Sequence, residues 1–207
     1  MTREVTVAAA RWERWVAGFG RDRTGVALRV EDGALCGSAD DGSWFRARLP
    51  FERRYDGEAD AAAFAAAAAP PAAWGVLLVR KGGFAVARLA GGVIEASKVG
   101  QRHVQGRTKA GGQSQQRFAR RRDNQAREAY EAAAGHAVRI LVDEGRVDLL
   151  LAGGDHAAVD AVLSDPRLEG ATVVGPWLPV PDPRRSVLEQ AVVDACSISV
   201  EVANAGR

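Results

Sequence analysis

Long apolar runs, cysteine clusters and a basic N-terminal leader are all missing from this 207-residue sequence. No stretch of eighteen or more residues is continuously apolar, so no transmembrane helix is predicted. The N-terminus has no basic segment followed by a long apolar stretch, so no secretory signal is expected. These absences predict a cytoplasmic protein with no membrane partner.

Metal-binding patterns are also scarce. The two cysteines, Cys36 and Cys196, lie far apart, form no CxxC motif and have no histidine cluster nearby, so neither a disulfide framework nor a zinc site is expected. A metal-dependent nuclease needs clustered carboxylates at strand ends. The predicted core strand Trp74–Arg80 contains no acid, and Glu95 is isolated on a later strand. We therefore expect no metal and no cofactor.

Basic residues are concentrated in one part of the chain, although the whole protein carries a net charge of only +2. From Lys98 to Arg127 there are nine basic residues and one acid, Asp123, a local charge of +8 that leaves −6 on the remainder. A solvated protein face usually mixes charges of both signs. Such a concentrated basic stretch indicates a polyanionic partner.

Residues 1–70 are predicted to form an N-terminal helix and strands. Trp12, Trp15 and Phe19 recur at helical spacing. Two runs with strand character and one alanine-rich helix that stops at Pro70-Pro71 follow: Gly25–Val30, Trp44–Leu49 and Ala59–Ala69. No motif decides whether this part of the chain extends the domain that follows or forms a small docking unit.

Residues 71–207 are predicted to form one α/β domain. Three strands joined by tight glycine links must form antiparallel hairpins, and a helical stretch from Gln113 to Gly145 follows them. Strands and helices then alternate. This order predicts an RNase H-like mixed sheet: three antiparallel strands, a long basic helix, then alternating strands and helices. The predicted strands are Trp74–Val79, Phe84–Leu89, Val93–Val99, Val147–Leu151, Ala171–Val174 and Ser197–Val202. One helix is predicted to follow Asp155, which is its expected N-cap, and another to span Arg184–Ala195.

Two glycines and a glutamine, Gly111-Gly112-Gln113, stand at the predicted start of the long helix, at the end of a loop over residues 100–113. Glycines let a backbone approach a substrate closely. A helix N-terminus offers unpaired N–H groups suited to a phosphate or a developing oxyanion. Glutamine is neither acid nor base at neutral pH, so Gln113 can act only by positioning and hydrogen bonding. Attack by water on an activated ester suits such a group.

This segment resembles the GGQ loop and following helix of the eukaryotic and archaeal class-1 release factors. Leu149–Asp155 resembles that family's strand ending in LAGSADF, with Gly154 and His156 as departures. The chain has no separate stop-codon-reading domain and no NIKS-like motif. It is therefore similar to the Vms-like release-factor family of ribosome rescue, over roughly Trp74 to Val202. Flanking residues that also fit the release-factor pattern are Ser114, Arg117, Phe118, Ala119 and Arg120.

The resemblance implies hydrolysis of peptidyl-tRNA stranded on the large ribosomal subunit, by a monomeric protein whose loop enters the peptidyl transferase centre. Gln113 is then expected to hydrogen-bond the attacking water or the leaving 3′-hydroxyl, and Gly111 and Gly112 to permit that placement. Basic residues are expected to contact rRNA or tRNA phosphates, which position the loop without reading sequence. These are Lys98, Arg102, Arg107, Lys109, Arg117, Arg120 and Arg121.

Two alternatives remain open at this point. The basic helix could belong to a non-catalytic ribosome- or tRNA-binding module in which the loop is structural. The resemblance also leaves room for an enzyme that cuts the tRNA 3′ end, because some Vms-type relatives have been described as doing so. Only an activity measurement with inspection of the RNA product separates these readings.

Overall fold

A computed structural model of the protein describes residues 2–101 and 127–205. The chain divides into two compact units, the first made of Met1–Pro71 and Val192–Arg207, and the second of Ala72–Ala191. Each contains one five-stranded sheet. The predicted α/β class is confirmed.

The described residues form ten strands and five α-helices, with a π-helical turn at Arg139–Asp143 that continues the third helix. The strands are β1 (Thr2–Ala8), β2 (Ala27–Glu31), β3 (Ala34–Ser38), β4 (Trp44–Arg48), β5 (Ala73–Arg80), β6 (Gly83–Ala90), β7 (Val93–Gln101), β8 (Leu149–Gly154), β9 (Thr172–Leu178) and β10 (Ser197–Ala203). The helices are α1 (Trp12–Gly20), α2 (Ala61–Ala67), α3 (127–138), α4 (His156–Leu163) and α5 (Arg185–Ala195).

The first unit is built on an antiparallel sheet with strand order β1-β10-β4-β3-β2. Side chains alternate between the two faces of a strand, so a strand that is half buried shows a period of two. In β10, Ile198, Val200 and Val202 are buried and the residues between them are partly exposed. These three side chains belong to the hydrophobic core of the unit.

Aromatic rings fill that core. Trp12 and Trp15 lie on the same side of α1, and their rings stack with centroids 5.3 Å apart. The Trp12 ring also meets Phe45 of β4 edge-on at 5.7 Å and Phe64 of α2 at 5.2 Å. The predicted aromatic helix is therefore confirmed. The alanine-rich helix is confirmed as well, and begins where the Asp60 carboxylate accepts a hydrogen bond from the Ala63 N–H.

The second unit contains a mixed sheet with strand order β7-β6-β5-β8-β9. The three hairpin strands are antiparallel, as predicted, whereas β5 with β8 and β8 with β9 are parallel. The carboxyl ends of β5, β7, β8 and β9 therefore lie at one edge of the sheet, together with the start of β6. We call this the carboxyl edge.

Helices α3 and α4 contribute to a core on one face of this sheet. A central strand covered on both faces becomes almost continuously apolar, and β5 is buried from Trp74 through Val79. Residues of β5, β6 and β8 on this face pack with residues of α3, the π-helical turn and α4. Core members under 2% exposed include Leu77, Val86, Leu150, Ala137, Ile140, Leu141 and Val159.

Three features of the first unit differ from the sequence prediction. Strands β1 and β3 were not predicted, and β10 pairs with β1 and β4 of the first unit although residues 71–207 were expected to form one domain. Strand β3 contains Gly37, a residue that weakens a strand signal. A Cβ at Gly37 would lie 2.1 Å from Cε1 of Phe45, so the core requires glycine there.

Candidate functional site

Nine of the ten residues predicted for catalysis or RNA binding lie outside the described residues: Gly111, Gly112, Gln113, Arg102, Arg107, Lys109, Arg117, Arg120 and Arg121. The tenth, Lys98, is exposed on β7. The structure describes both flanks of this segment, and these flanks define the candidate site.

Both flanks border one cavity at the carboxyl edge. Gln101, the last residue of β7, pairs with Gly83 at the start of β6. Glu128, in the first described turn of α3, lies on the same cavity, which has a volume of about 260 Å³. The last described residue before the gap and a residue near the first one after it therefore border the same cavity. Its other lining residues are Val79, Arg80, Phe84, Gly100, Ala129, Tyr130, Ala132 and Ala133.

Two glycines of the cavity wall stand where a side chain would not fit, and one of them leaves space for the Phe84 ring. A Cβ on Gly100 would lie 2.3 Å from Cε1 of Phe84, and a Cβ on Gly83 would lie 2.5 Å from the Gly100 carbonyl oxygen. Contacts this short do not occur between non-bonded heavy atoms. The His136 ring also stacks on the Phe84 ring, with the two ring centroids 5.4 Å apart. The aromatic wall is therefore preformed.

His136 lies in a basic environment next to this wall. Burial lowers the pKa of His136 below its ordinary value, and the positive charges of Arg139 and Lys98 lower it further. Lys98, which is predicted to contact phosphate, and Arg139, an exposed residue of the π-helical turn, therefore both lower the pKa of His136. The stacking of His136 on Phe84 gives this histidine a packing role.

We predict that His136 titrates below the ordinary histidine value of about 6.5 in the folded protein. Its proton is then bound more weakly in the folded than in the unfolded state, so stability falls as the pH drops from about 6.5 towards the folded-state pKa. NMR titration of the imidazole signals should show this, with Arg139→Met raising the midpoint more than Lys98→Met and Lys81→Met leaving it unchanged. A midpoint at or above the ordinary value would contradict the prediction.

A second cavity, of about 600 Å³, lies between the first described turns of α3 and the end of α4. Tyr130 lines both cavities, and Arg127 and Arg167 line the second. Asp165 holds Arg167 through two contacts, Nε to Oδ1 at 3.0 Å and Nη2 to Oδ2 at 2.7 Å. This pairing lowers the pKa of Asp165 to about 2. Burial raises the pKa of Tyr130, and the charge of Asp155 raises it further.

Asp155 occupies the N-cap position of α4, but its side chain accepts no capping hydrogen bond. Its carboxylate instead lies 3.8 Å from Nε of Arg80, whose Nη1 donates to the Val180 carbonyl at 3.0 Å. The predicted N-cap position is therefore confirmed, but the carboxylate faces an arginine at the end of β5 and does not cap the helix. Beside it, the His156 and Trp177 rings stack 3.6 Å apart.

Sequence patterns missed the cavity residues Arg80, Phe84 and Tyr130. Phe84 and Tyr130 were read as ordinary apolar positions of a strand and a helix, and Arg80 only as the end of a strand. Local sequence patterns could not predict that Gln101 and Glu128 border the same cavity. The one available signal was that the basic stretch directly follows a hairpin whose strands carry glycines at Gly83 and Gly100.

Among residues 2–101 and 127–205, no group of three or more histidine, cysteine or acidic side chains is placed to hold a metal ion. Cys36 is buried and Cys196 is partly buried, and both thiols are free. None of the helices in the described part of the chain is long and apolar enough to cross a membrane.

Comparison with known proteins gives a family match and two distant structural similarities. The archaeal translation termination factor aRF1, known from a crystal structure, is 10% identical with a TM-score of 0.42, and the alignment covers 91% of this chain and 70% of that one. A structure described as an archaeal protein is 13% identical with a TM-score of 0.40, covering 92% of this chain and 73% of that one. A search among curated proteins finds no significant match.

The family model of the Actinobacteria/chloroflexi VLRF1 release factor, acVLRF1, matches residues 72–201. This range is more than half of the chain and contains both flanks of the candidate site as well as Gly111-Gly112-Gln113. It confirms the resemblance to the Vms-like release factors that the sequence indicated. The chain therefore belongs to the Actinobacteria/chloroflexi VLRF1 release factor family.

Proposed function

We propose that the protein is a peptidyl-tRNA hydrolase that releases nascent peptide on stalled ribosomes or large subunits, without reading a codon. The observation that carries this proposal is its membership of a release-factor family over residues 72–201, a range that includes Gly111-Gly112-Gln113. The reaction would take place in the cytoplasm, at the peptidyl transferase centre of the large subunit. The protein acts as a monomer and needs no metal or cofactor.

In the proposed reaction a water oxygen attacks the carbonyl carbon of the ester that joins peptide to tRNA. The bond from that carbon to the 3′ oxygen breaks, the peptide leaves with a new carboxyl group, and the tRNA 3′ oxygen takes up a proton. Gln113 hydrogen-bonds the attacking water or the leaving 3′-hydroxyl, and its backbone N–H stabilises the tetrahedral intermediate. Gly111 and Gly112 provide the backbone freedom that this placement requires.

The basic stretch supplies the affinity for RNA in this proposal. Phosphate contacts position a protein on nucleic acid without reading its sequence. Exposed basic residues on the two described flanks, Lys98, Arg127 and Arg139, extend the charge that the sequence concentrates between them. The residues proposed to contact phosphates between these flanks are Arg102, Arg107, Lys109, Arg117, Arg120 and Arg121. We further propose that the strand order of the second unit is that of an RNase H-like domain.

Single-turnover assays on purified large subunits carrying labelled peptidyl-tRNA test the proposal. Release of free peptide with recovery of full-length tRNA is the expected result. Peptide that remains joined to a short RNA fragment, together with a shortened tRNA, would instead indicate cleavage at the tRNA 3′ end. Tight, salt-sensitive binding with neither product would indicate a non-catalytic binding module.

A further inference from the structure

The cavity between the flanks combines apolar walls with a polar rim. The partly exposed Tyr130 contributes aromatic surface, the buried Phe84 closes one wall, and the alanines of α3 contribute small apolar groups. Gln101 lies at the rim and carries both a hydrogen-bond donor and an acceptor. Such a lining suits a flat apolar group whose edge carries polar atoms.

The size of the cavity restricts its ligand further. Pockets for drug-sized ligands have volumes of roughly 300 to 1,000 Å³. At about 260 Å³, this cavity matches a single ring system better than a whole nucleotide. The Phe84 ring packs where a side chain of Gly100 would lie, and it stacks on His136. Because this wall is already packed, the cavity exists before a ligand binds.

The charges around the cavity indicate which kind of molecule carries such a ring. Arg139 and Lys98 are close enough to His136 to lower its pKa, and His136 stacks on the cavity wall. Arg127 lies with Tyr130 on the second cavity. Seven more basic residues and one acid separate Gln101 from Arg127 in the sequence. Basic residues that are this concentrated in and beside the two flanks indicate a polyanionic ligand, and the flat apolar part of a nucleic acid is its base.

We propose that the cavity binds one unstacked base of an RNA strand whose phosphates lie on the surrounding basic residues. Aromatic side chains commonly stack on bases that are splayed out of single-stranded RNA. The inference rests on the proposed function for the identity of the polyanion as RNA. It adds a base-binding subsite that is lined by described residues of β5, β6, β7 and α3.

Two synthetic RNA strands isolate the contribution of one base. The first is a short abasic ribose-phosphate strand, and the second carries a single 2-aminopurine at its centre. We expect the full-length protein to bind the second strand roughly 10- to 100-fold more tightly, since stacking of one base contributes about that much. The 2-aminopurine fluorescence should fall on binding. Equal affinity of the two strands, or unchanged fluorescence, would overturn the proposal.

A variant that fills the cavity then tests whether the base binds there. Ala132 lines the cavity and is exposed at its rim, so Ala132→Trp should occupy the space. The variant should lose the preference for the 2-aminopurine strand but keep the affinity for the abasic strand and its salt dependence, because phosphate contacts are unchanged. Ala157→Trp, at an exposed alanine of α4 on neither cavity, is the matched control and should keep the preference.

The outcomes separate the subsite from the proposed function. If Ala132→Trp keeps the preference, or weakens both strands equally, the base does not lie in this cavity. Should Ala132→Trp fail to fold, the comparison of the two strands on the unaltered protein still decides whether a base is bound. None of these measurements uses an ester or a ribosome. Peptide release without base preference would overturn the subsite alone, and base preference without release would overturn the proposed hydrolase alone.

Discussion

Replacing Gln113 by alanine is expected to slow peptide release by about 100- to 1,000-fold, the loss typical when one preorganised hydrogen-bond donor to a transition state is removed. The glutamine side chain cannot exchange a proton usefully at neutral pH, so its effect comes from placement alone. Single-turnover release from peptidyl-tRNA on large subunits measures the rate. Because the substitution changes no charge, binding to the subunit should be unaffected at every salt concentration.

The matched control is Gln115→Ala, which removes the same type of side chain slightly further along the chain. Its release rate should stay close to that of the unaltered protein. If Gln113→Ala released peptide as fast as Gln115→Ala, Gln113 would have no catalytic role and the hydrolase proposal would lose its mechanism. If both variants were equally slow, the loss would reflect damage to the segment as a whole.

The hairpin half of the second unit could be predicted because its signals are local. Glycine pairs separate three apolar runs, and a tight link permits only antiparallel pairing. Strand β10 shows the opposite case. Its apolar alternation was recognised, but its partners β1 and β4 lie near the other end of the chain. Local patterns carry no information about such a pairing, so β10 was assigned to the wrong unit.

The candidate site also has one part that the sequence predicts and one part that only the structure shows. The GGQ motif and its basic surroundings are features of sequence and needed no structure to be noticed. The cavity exists because Gln101 and Glu128, well separated in the sequence, border the same space, and because Gly100 has no side chain where the Phe84 ring lies. The side chain of Asp155 shows the same limit of local patterns. Its position in the sequence fits a helix cap, but Arg80 reaches it from the end of β5, a strand much earlier in the chain.

Replacing Gly154 by serine, the residue of the release-factor pattern at this point, is expected to destabilise the second unit by about 2–5 kcal/mol. Gly154 has φ of +95°, a region that side-chain-bearing residues rarely adopt, and a Cβ there would lie 2.2 Å from the Val79 carbonyl oxygen. That oxygen accepts a hydrogen bond from the Asp155 N–H at 2.9 Å. The clash therefore involves backbone that cannot move without losing the last contact between β5 and β8.

Substitutions at two other glycines of the same unit distinguish the effect of backbone strain from that of a steric clash. Gly91 has φ of +54° and nothing within 4 Å of the point where a Cβ would lie, and Gly92 has open space with no positive φ. Gly92→Ser should change stability by less than about 0.5 kcal/mol, and Gly91→Ser should cost about 1–2 kcal/mol from backbone strain alone. Urea unfolding measures the three changes in the free energy of unfolding, provided that the dependence of this free energy on urea concentration is the same for all variants. A Gly154→Ser midpoint no lower than that of Gly91→Ser would show that β5 and β8 can separate at the carboxyl edge, and that glycine is not what closes the sheet there.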